Sequence, residues 1–252
     1  MIKLTGIYKK FNHQEVLRGL DLSIKAGETM VIIGRSGCGK SVTLKHIVGL
    51  LKPDKGTVEV DDVNIAALPP LELQSIQKKF GFLFQGAALF DSMNVSDNIS
   101  FGLRTQHLMH DEKKIQERVA ECLRLVGLEG IEKTMPSDLS GGMRKRVGLA
   151  RAIAAQPQYI LYDEPTTGVD PIMSDAVNDL IVNMKNKLGV TSIVVTHDMV
   201  SAYTVADRIA MMYHGVIQQI GTPNEIRNSS DPIVKQFISG SAKGPITLED
   251  RG

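Results

Sequence analysis

A short glycine-rich stretch near the start of the chain has the residues of a loop that binds phosphate groups. The pattern Gly-x-x-x-x-Gly-Lys-Ser is filled by Gly34, Arg35, Ser36, Gly37, Cys38, Gly39, Lys40 and Ser41. Glycines allow backbone N–H groups to converge on phosphate oxygens, and a helix N-terminus adds partial positive charge. We therefore predict that Lys40 reaches the terminal phosphates, that Ser41 binds Mg²⁺, and that Val42 completes the nucleotide-binding segment.

Two adjacent carboxylates follow a second apolar run. Tyr159-Ile160-Leu161-Tyr162 predicts a buried strand, and Asp163 and Glu164 come directly after it. Ligands of open α/β folds bind at the carboxyl ends of strands. Alone, such a pair most often begins a solvated loop. Together with a phosphate loop, it predicts that Asp163 holds Mg²⁺, directly or through water, and that Glu164 polarises the attacking water.

A third motif predicts a second anion-binding helix start. Leu139-Ser140-Gly141-Gly142-Met143 precedes a basic helix that carries Arg144, Lys145, Arg146 and Arg151. Ser140 is a candidate N-cap, and the two glycines leave the backbone N–H groups uncovered. The structural alternative for this motif alone is a capped helix without a ligand.

The elements that must position these residues are those of an α/β protein. Alternation predicts strands at the N-terminus, and continuous apolar runs predict buried strands at 29–33, 80–84, 159–162 and 192–196. Helices are predicted from Lys40 to about Val48, from Pro171 to about Lys187, and within 95–126, where apolar residues recur at spacings of three and four. A hairpin is predicted at 209–220, turning at His214-Gly215.

Composition places few limits on function but excludes some classes. The 252 residues suit one α/β domain, and the balance of 29 Lys and Arg against 28 Asp and Glu argues against nucleic acid as a partner. No run approaches the ~20 apolar residues that cross a bilayer. Cys38 and Cys122 lack metal-binding spacing, so reduced thiols are expected. Cys38 lies beside a helix N-terminus and Lys40, which predicts a reactive thiolate.

Taken together, the motifs resemble those of ABC ATPases, over about 2–220, with Met143 where the signature usually has glutamine. The resemblance implies a P-loop NTPase fold with a RecA-like parallel-sheet core, an N-terminal antiparallel β subdomain and a helical subdomain at about 86–156. It places one ATPase domain at 1–240 and a tail at 241–252 that contacts a partner or the dimer. It also implies ATP and Mg²⁺ as cofactors and a head-to-tail homodimer. In that dimer Ser140, Gly141 and Gly142 cap the γ-phosphate bound by the other subunit.

The same resemblance assigns four smaller sites. Gln85 matches the glutamine that senses Mg²⁺ and touches the transmembrane partner, and His197 matches the histidine that contacts the γ-phosphate. Asp170 matches the loop that crosses the dimer interface. Phe11 is the candidate for stacking on adenine, with Tyr8 as the alternative.

Within ABC ATPases, three segments look like those of MCE-type (Mla-like) lipid transport systems. They are 83–95, 163–172 and the signature that ends in Met143. This likeness implies phospholipid as cargo between inner and outer membranes, and a location at the cytoplasmic face of the inner membrane. It also implies integral permease subunits as partners, an MCE-type lipid-binding protein acting through them, and docking of the permease at 87–95. ATPases of importers for amino acids or other small solutes are the alternative.

Two other classes fit the sequence less well. Soluble ABC proteins of translation or DNA repair usually carry tandem domains or a long coiled coil, and the interval between Gln85 and Leu139 leaves no room for one. A nucleotide-binding scaffold without turnover predicts loss of Lys40, Glu164 or His197, and all three are present.

Overall fold

The computed structural model describes residues 1–247, which form two compact units. The first unit contains Met1–Gln77 and the residues from Thr191 onward, and the second is Lys78–Val190. The strands of the described residues are β1 (Ile2–Phe11), β2 (Gln14–Ile24), β3 (Thr29–Ile33), β4 (Lys55–Val60), β5 (Val63–Asn64), β6 (Phe80–Leu83), β7 (Tyr159–Asp163), β8 (Thr191–Thr196), β9 (Arg208–Tyr213) and β10 (Val216–Gly221).

The α-helices of this part of the chain vary from one turn to five. They are α1 (Lys40–Ile47), α2 (Pro70–Gln77), α3 (Val95–Thr105), α4 (Glu112–Leu125), α5 (Gly141–Ala154), α6 (Pro171–Leu188), α7 (Met199–Val205), α8 (Pro223–Arg227) and α9 (Pro232–Ser239). Over residues 1–247, no helix combines the length and apolar character needed to cross a membrane.

The first unit contains an antiparallel sheet with strand order β2-β1-β4-β5. β1 buries Ile2 and Leu4, as the alternation in the sequence predicts, and it buries Ile7 after a shift in register. Each such side chain stabilises the fold by about 1.5–3 kcal/mol when it is fully buried.

The same unit contains strands in the order β10-β9-β3-β8, with β3 parallel to both of its neighbours. All five residues of β3 are buried, as expected for a parallel strand covered on both faces. Ile33 is in register with Thr196. The glycine-rich loop that follows β3 and His197 that follows β8 therefore leave the sheet at the same edge.

The second unit pairs β6 and β7 in parallel and packs three helices together. Leu83 is in register with Tyr162, so Asp163 at the end of β7 and Gln85 shortly after β6 lie at the same edge. Helices α3 and α4 both pack on α5, and α4 buries Val119, Cys122 and Leu123.

Most strands and helices predicted from the sequence are present within a few residues. The helical stretch 95–126 is two helices, because residues between Thr105 and Glu112 interrupt it. The hairpin with its turn at His214-Gly215 is confirmed. Helices α2, α7, α8 and α9 were not predicted.

The C-terminal tail at 241–252 was predicted to contact a partner or the dimer, and only 241–247 lies within the described residues. The buried Gln236 side chain holds this segment through the main chain of Ile246. Its amide nitrogen donates to the Ile246 carbonyl oxygen at 2.9 Å, and its amide oxygen accepts the Ile246 N–H at 2.7 Å. The described part of the tail thus packs on its own chain.

Candidate functional site

The glycine-rich loop leads into a helix N-terminus that no side chain caps. Helix α1 begins after Gly39, whose φ of 109° is left-handed, and no side chain caps this N-terminus. No acidic residue lies in the first turn. A Cβ atom at Gly39 would lie 2.8 Å from Cδ2 of Leu17, and one at Gly34 would collide with the Met212 carbonyl. Glycine is therefore required at both positions, and the helix start is open to a phosphate group.

Lys40 lies inside this loop with 6% of its surface exposed. Its Nζ donates to the carbonyl oxygens of Gly34 at 2.7 Å and Arg35 at 2.9 Å. These contacts hold the ammonium within the loop, where an anionic phosphate could replace the carbonyl oxygens as its partner. Ser41 and Val42 lie half-buried in the first turn of α1.

The remaining loop residues differ in exposure. Ser36 and Gly37 are exposed, whereas Cys38 is 5% exposed. Arg35 donates from Nη1 to the Thr247 carbonyl oxygen at 2.8 Å. The loop therefore contacts the C-terminal segment, which the sequence did not indicate.

The prediction of a reactive Cys38 thiolate is wrong. Burial raises the pKa of the Cys38 thiol, and the neighbouring charge of Lys40 lowers it by less. The positive charges near Cys38 are visible in the sequence, but the burial of its thiol is not. Burial likewise raises the pKa of Cys122 to about 11.

The end of the β1–β2 hairpin carries an open depression next to Phe11. An open depression of about 840 Å³ is lined by Lys10, Phe11, Asn12, His13, Gln14, Glu15 and Arg18. The Phe11 ring is 41% exposed. Tyr8 is 44% exposed but does not line this depression, and its ring lies 5.8 Å from Nζ of Lys55. Phe11 lines the depression and Tyr8 does not, and Leu17 of the same hairpin lies near Gly39 of the glycine-rich loop.

His197 is exposed just after β8. The next residue, Asp198, caps α7 by accepting hydrogen bonds from the N–H groups of Val200 and Ser201. This cap fixes the turn that carries the histidine at the edge of the sheet where the phosphate loop begins.

The carboxylate pair lies at the end of β7 in the second unit. Asp163 is the last residue of the strand, and Glu164 follows with a left-handed φ of 50°. Glu164 accepts a hydrogen bond on Oε2 from the Thr167 hydroxyl at 3.1 Å. Its carbonyl oxygen accepts hydrogen bonds from the Thr167 N–H at 3.3 Å and from Nζ of Lys145 at 3.1 Å.

The predicted helix cap at Ser140 is confirmed. Its hydroxyl oxygen accepts the N–H of Met143 at 3.2 Å, and α5 starts at Gly141 with no acidic residue in its first turn. Gly142 is close to Met173, whose Cε would lie 2.6 Å from a Cβ there. Asp170 has a capping role as well, because its carboxylate accepts the Met173 N–H at 3.0 Å.

Gln85 is exposed in a loop that a cation from α5 supports. Ala87 and Ala88 have left-handed φ values of 62° and 48°. The Arg151 guanidinium donates to both of their carbonyl oxygens at 2.7 Å, and it also lies 5.9 Å from the centre of the Phe90 ring.

The donor atoms fit the ligands that the motifs imply. Mg²⁺ prefers oxygen ligands and usually combines one or two protein groups with phosphates and waters. Each residue that the motifs assign to Mg²⁺ carries an oxygen donor: Ser41 a hydroxyl, Asp163 a carboxylate and Gln85 an amide oxygen. When bound, Mg²⁺ neutralises charge on phosphate oxygens.

Comparison with known proteins identifies the wider group. A family model described as ABC transporter matches residues 17–167. Solved structures give the same result, because a dimeric ATP-binding cassette in a post-hydrolysis state with ADP and Pi superposes with a TM-score of 0.82. That match has 32% identity and covers 88% of this chain and 99% of the cassette.

Curated relatives differ in what their names say they transport. A probable ribonucleotide transport ATP-binding protein, Mkl of Mycobacterium leprae, is 41% identical over 99% of this chain and 72% of its own length. TRIGALACTOSYLDIACYLGLYCEROL 3 of Arabidopsis thaliana is 41% identical, over 98% of this chain and 75% of its own. The spermidine/putrescine import protein PotA of Mesoplasma florum is 37% identical, over 96% of this chain and 67% of its own length.

Proposed function

From the premise that this chain belongs to the ABC transporter family and is an ATPase that uses ATP with Mg²⁺, we propose that it powers phospholipid transport. The cargo moves between the inner and outer membranes of a cell that has both. The observation that carries this proposal is the resemblance of 83–95, 163–172 and the Met143 signature to MCE-type ATPases. The 41% identity to a protein named for trigalactosyldiacylglycerol, a lipid, supports it.

The proposed chemistry divides among the residues already placed. Lys40 and the N–H groups of 34–42 bind the phosphates, and the Phe11 ring stacks on adenine, which is a common use of an exposed aromatic face. Glu164 polarises the attacking water, and His197 contacts the γ-phosphate. Ser41, Asp163 and Gln85 hold Mg²⁺.

Two copies of the chain are proposed to share each nucleotide. Helix α5 starts at Ser140, Gly141 and Gly142 with no acidic residue in its first turn, so its N-terminus has the polarity that binds an anion. A head-to-tail dimer brings this start to the phosphates of the partner copy, and Asp170 then lies at the interface. Support comes from two solved structures of one related cassette, both of which are dimeric.

A separate integral permease is the proposed partner, held at segment 87–95. Phe90 is 40% exposed in that segment, and Phe84 next to it is 39% exposed, which provides apolar surface beside a loop. The ATPase then works at the cytoplasmic face of the inner membrane. An MCE-type lipid-binding protein is reached through the permease.

The test is lipid movement by the complex. The tagged chain is purified from membranes with its permease, placed in proteoliposomes, and given ATP and Mg²⁺. We expect transfer of a fluorescent phospholipid to or from acceptor vesicles, and none with Glu164→Gln. ATP turnover without any phospholipid transfer would contradict the proposal.

A small-solute importer is the second candidate, because PotA is 37% identical over nearly the whole chain. The same vesicles distinguish the two. Uptake of radiolabelled spermidine or an amino acid, with no lipid transfer, would favour import.

A further inference from the structure

A buried lysine holds the main chain of the proposed general base. Lys145 lies on the second turn of α5 with 6% of its surface exposed. Its Nζ donates to the Glu164 carbonyl oxygen at 3.1 Å. The other large buried side chains of this helix, among them Val147, Leu149 and Ile153, are apolar. The ammonium of Lys145 must be stabilised among them, because burying a cation is unfavourable unless it is paired and hydrogen-bonded.

The position that Lys145 contacts has an unusual backbone. Glu164 has a φ of 50°, which is rare for residues other than glycine, asparagine and aspartate. The surroundings must therefore stabilise this conformation. Its carbonyl receives the Lys145 ammonium and the Thr167 N–H, and its carboxylate receives the Thr167 hydroxyl.

The charges of Lys145 and Glu164 also interact. Burial lowers the pKa of Lys145, and the negative charge of Glu164 acts in the opposite direction. The ammonium and the carboxylate thus interact through charge as well as through the main-chain contact.

We propose that Lys145 is a positioning residue that fixes the backbone of Glu164 and, with it, the direction of the carboxylate. The contact also joins two functions within one chain. Ser140 begins the helix that carries Lys145, about 7.5 Å along its axis. In the proposed dimer Ser140 faces the partner's ATP, whereas Glu164 serves the ATP of its own chain. Lys145 therefore couples the two nucleotide sites. This inference rests on the proposed base and dimer.

The experiment compares steady-state ATP hydrolysis of Lys145→Met with that of Lys113→Met, an exposed lysine on α4. Methionine keeps the unbranched shape of the side chain, is one heavy atom shorter, and removes the donor. We expect kcat to fall about 10- to 100-fold in Lys145→Met, since small misplacement of a catalytic group has effects of that size. The KM for ATP and the Kd for a fluorescent ATP analogue stay within about twofold. The Hill coefficient for ATP moves toward one. Lys145→Arg recovers most of kcat, and Lys113→Met behaves as wild type.

A purely structural role gives a different result. Unchanged kcat in Lys145→Met would overturn the inference, and so would a parallel loss of nucleotide binding that Lys145→Arg does not rescue. If Lys145→Met does not fold, Lys145→Gln, which keeps a shorter donor, is measured against the same expectations.

Glu164→Gln, measured in parallel, separates the inference about Lys145 from the proposed role of Glu164 as general base. Normal turnover in Glu164→Gln overturns the base assignment and the inference together. If Glu164→Gln is inactive and Lys145→Met is normal, only the coupling by Lys145 is wrong. These assays use ATP alone, so they do not depend on the identity of the cargo.

Discussion

Replacing Arg151 with methionine should loosen the loop that follows Gln85. The guanidinium donates to the carbonyl oxygens of Ala87 and Ala88 at 2.7 Å. Both alanines are in the left-handed region, which costs about 1–2 kcal/mol per residue without support. Methionine keeps the aliphatic length but cannot donate. The loop should then relax toward ordinary backbone angles and lose its fixed position.

The size of the effect follows from these contacts. Hydrogen bonds to a charged group contribute about 1.5–3 kcal/mol each. Burial lowers the pKa of Arg151, because removing the cation from water is unfavourable. This desolvation offsets part of the stabilisation that the two hydrogen bonds provide. We therefore expect a net loss of about 2–4 kcal/mol. For a chain of this size that corresponds to a fall in Tm of about 4–16 °C.

Two measurements check the prediction. Thermal unfolding gives the change in Tm, and hydrogen exchange shows where it arises. Peptides that cover 84–94 should exchange faster in Arg151→Met, while peptides that cover 29–42 should not change. The matched control is Arg144→Met, an exposed arginine of the same helix. An equal fall in Tm for the control, or unchanged exchange at 84–94, would refute the reasoning.

Three further predictions concern single side chains. Glu164→Gln should bind ATP normally but hydrolyse it at less than about 1% of the wild-type rate. A nucleotide-bound dimer should accumulate and be detected by gel filtration. Near-normal turnover would contradict the role of Glu164 as base. Burial lowers the pKa of His46, so the unfolded chain binds a proton that the folded chain does not, and stability falls as pH drops below about 6.5. His46→Leu should make Tm less sensitive to pH between about 7 and 5.5, whereas the exposed control His110→Gln should keep the wild-type slope. N-Ethylmaleimide should label Cys38 slowly in the native chain and Cys122 more slowly still, because both thiols are buried and have raised pKa values. Both should react quickly after denaturation. Rapid labelling of the native chain would refute this.

The parts of the site that depend on local pattern could be predicted from the sequence. The phosphate loop needs glycines at fixed spacing between a strand and a helix, and the Ser140 cap needs only its own helix start. Parallel strands that end at one edge then account for Gln85 and Asp163, and for His197 beside the phosphate loop. Local pattern is enough for the phosphate loop and the cap, whereas the pairing of parallel strands brings the other residues to their edges.

Other features depend on tertiary contacts that no local pattern reveals. The left-handed backbone of Glu164, the burial of Lys145 and the two bonds of Arg151 each require knowledge of what packs against them. Cys38 shows the same limit, because its charged neighbours are adjacent in sequence but its burial is not visible there.

The helices that were missed divide into two kinds. Helix α2 buries none of its residues, and Leu71 is 81% exposed, so it lacks the apolar stripe by which a helix is recognised. Helix α8, in contrast, carries a readable signal. Thr222 and Glu225 form a capping box around Pro223, and that spacing is visible in the sequence.

Mixing two inactive variants tests the shared site of the dimer most directly. Lys40→Ala removes the phosphate ligand of one copy, and Ser140→Arg blocks the signature of the other. In a mixed dimer both changes fall in the same site, so the second site is intact, whereas neither homodimer has an intact site. With equal amounts of the two folded variants, about half of the dimers are mixed, and ATPase activity should reach about a quarter of wild type. Activity that stays at the level of the separate variants would contradict a site shared between two copies.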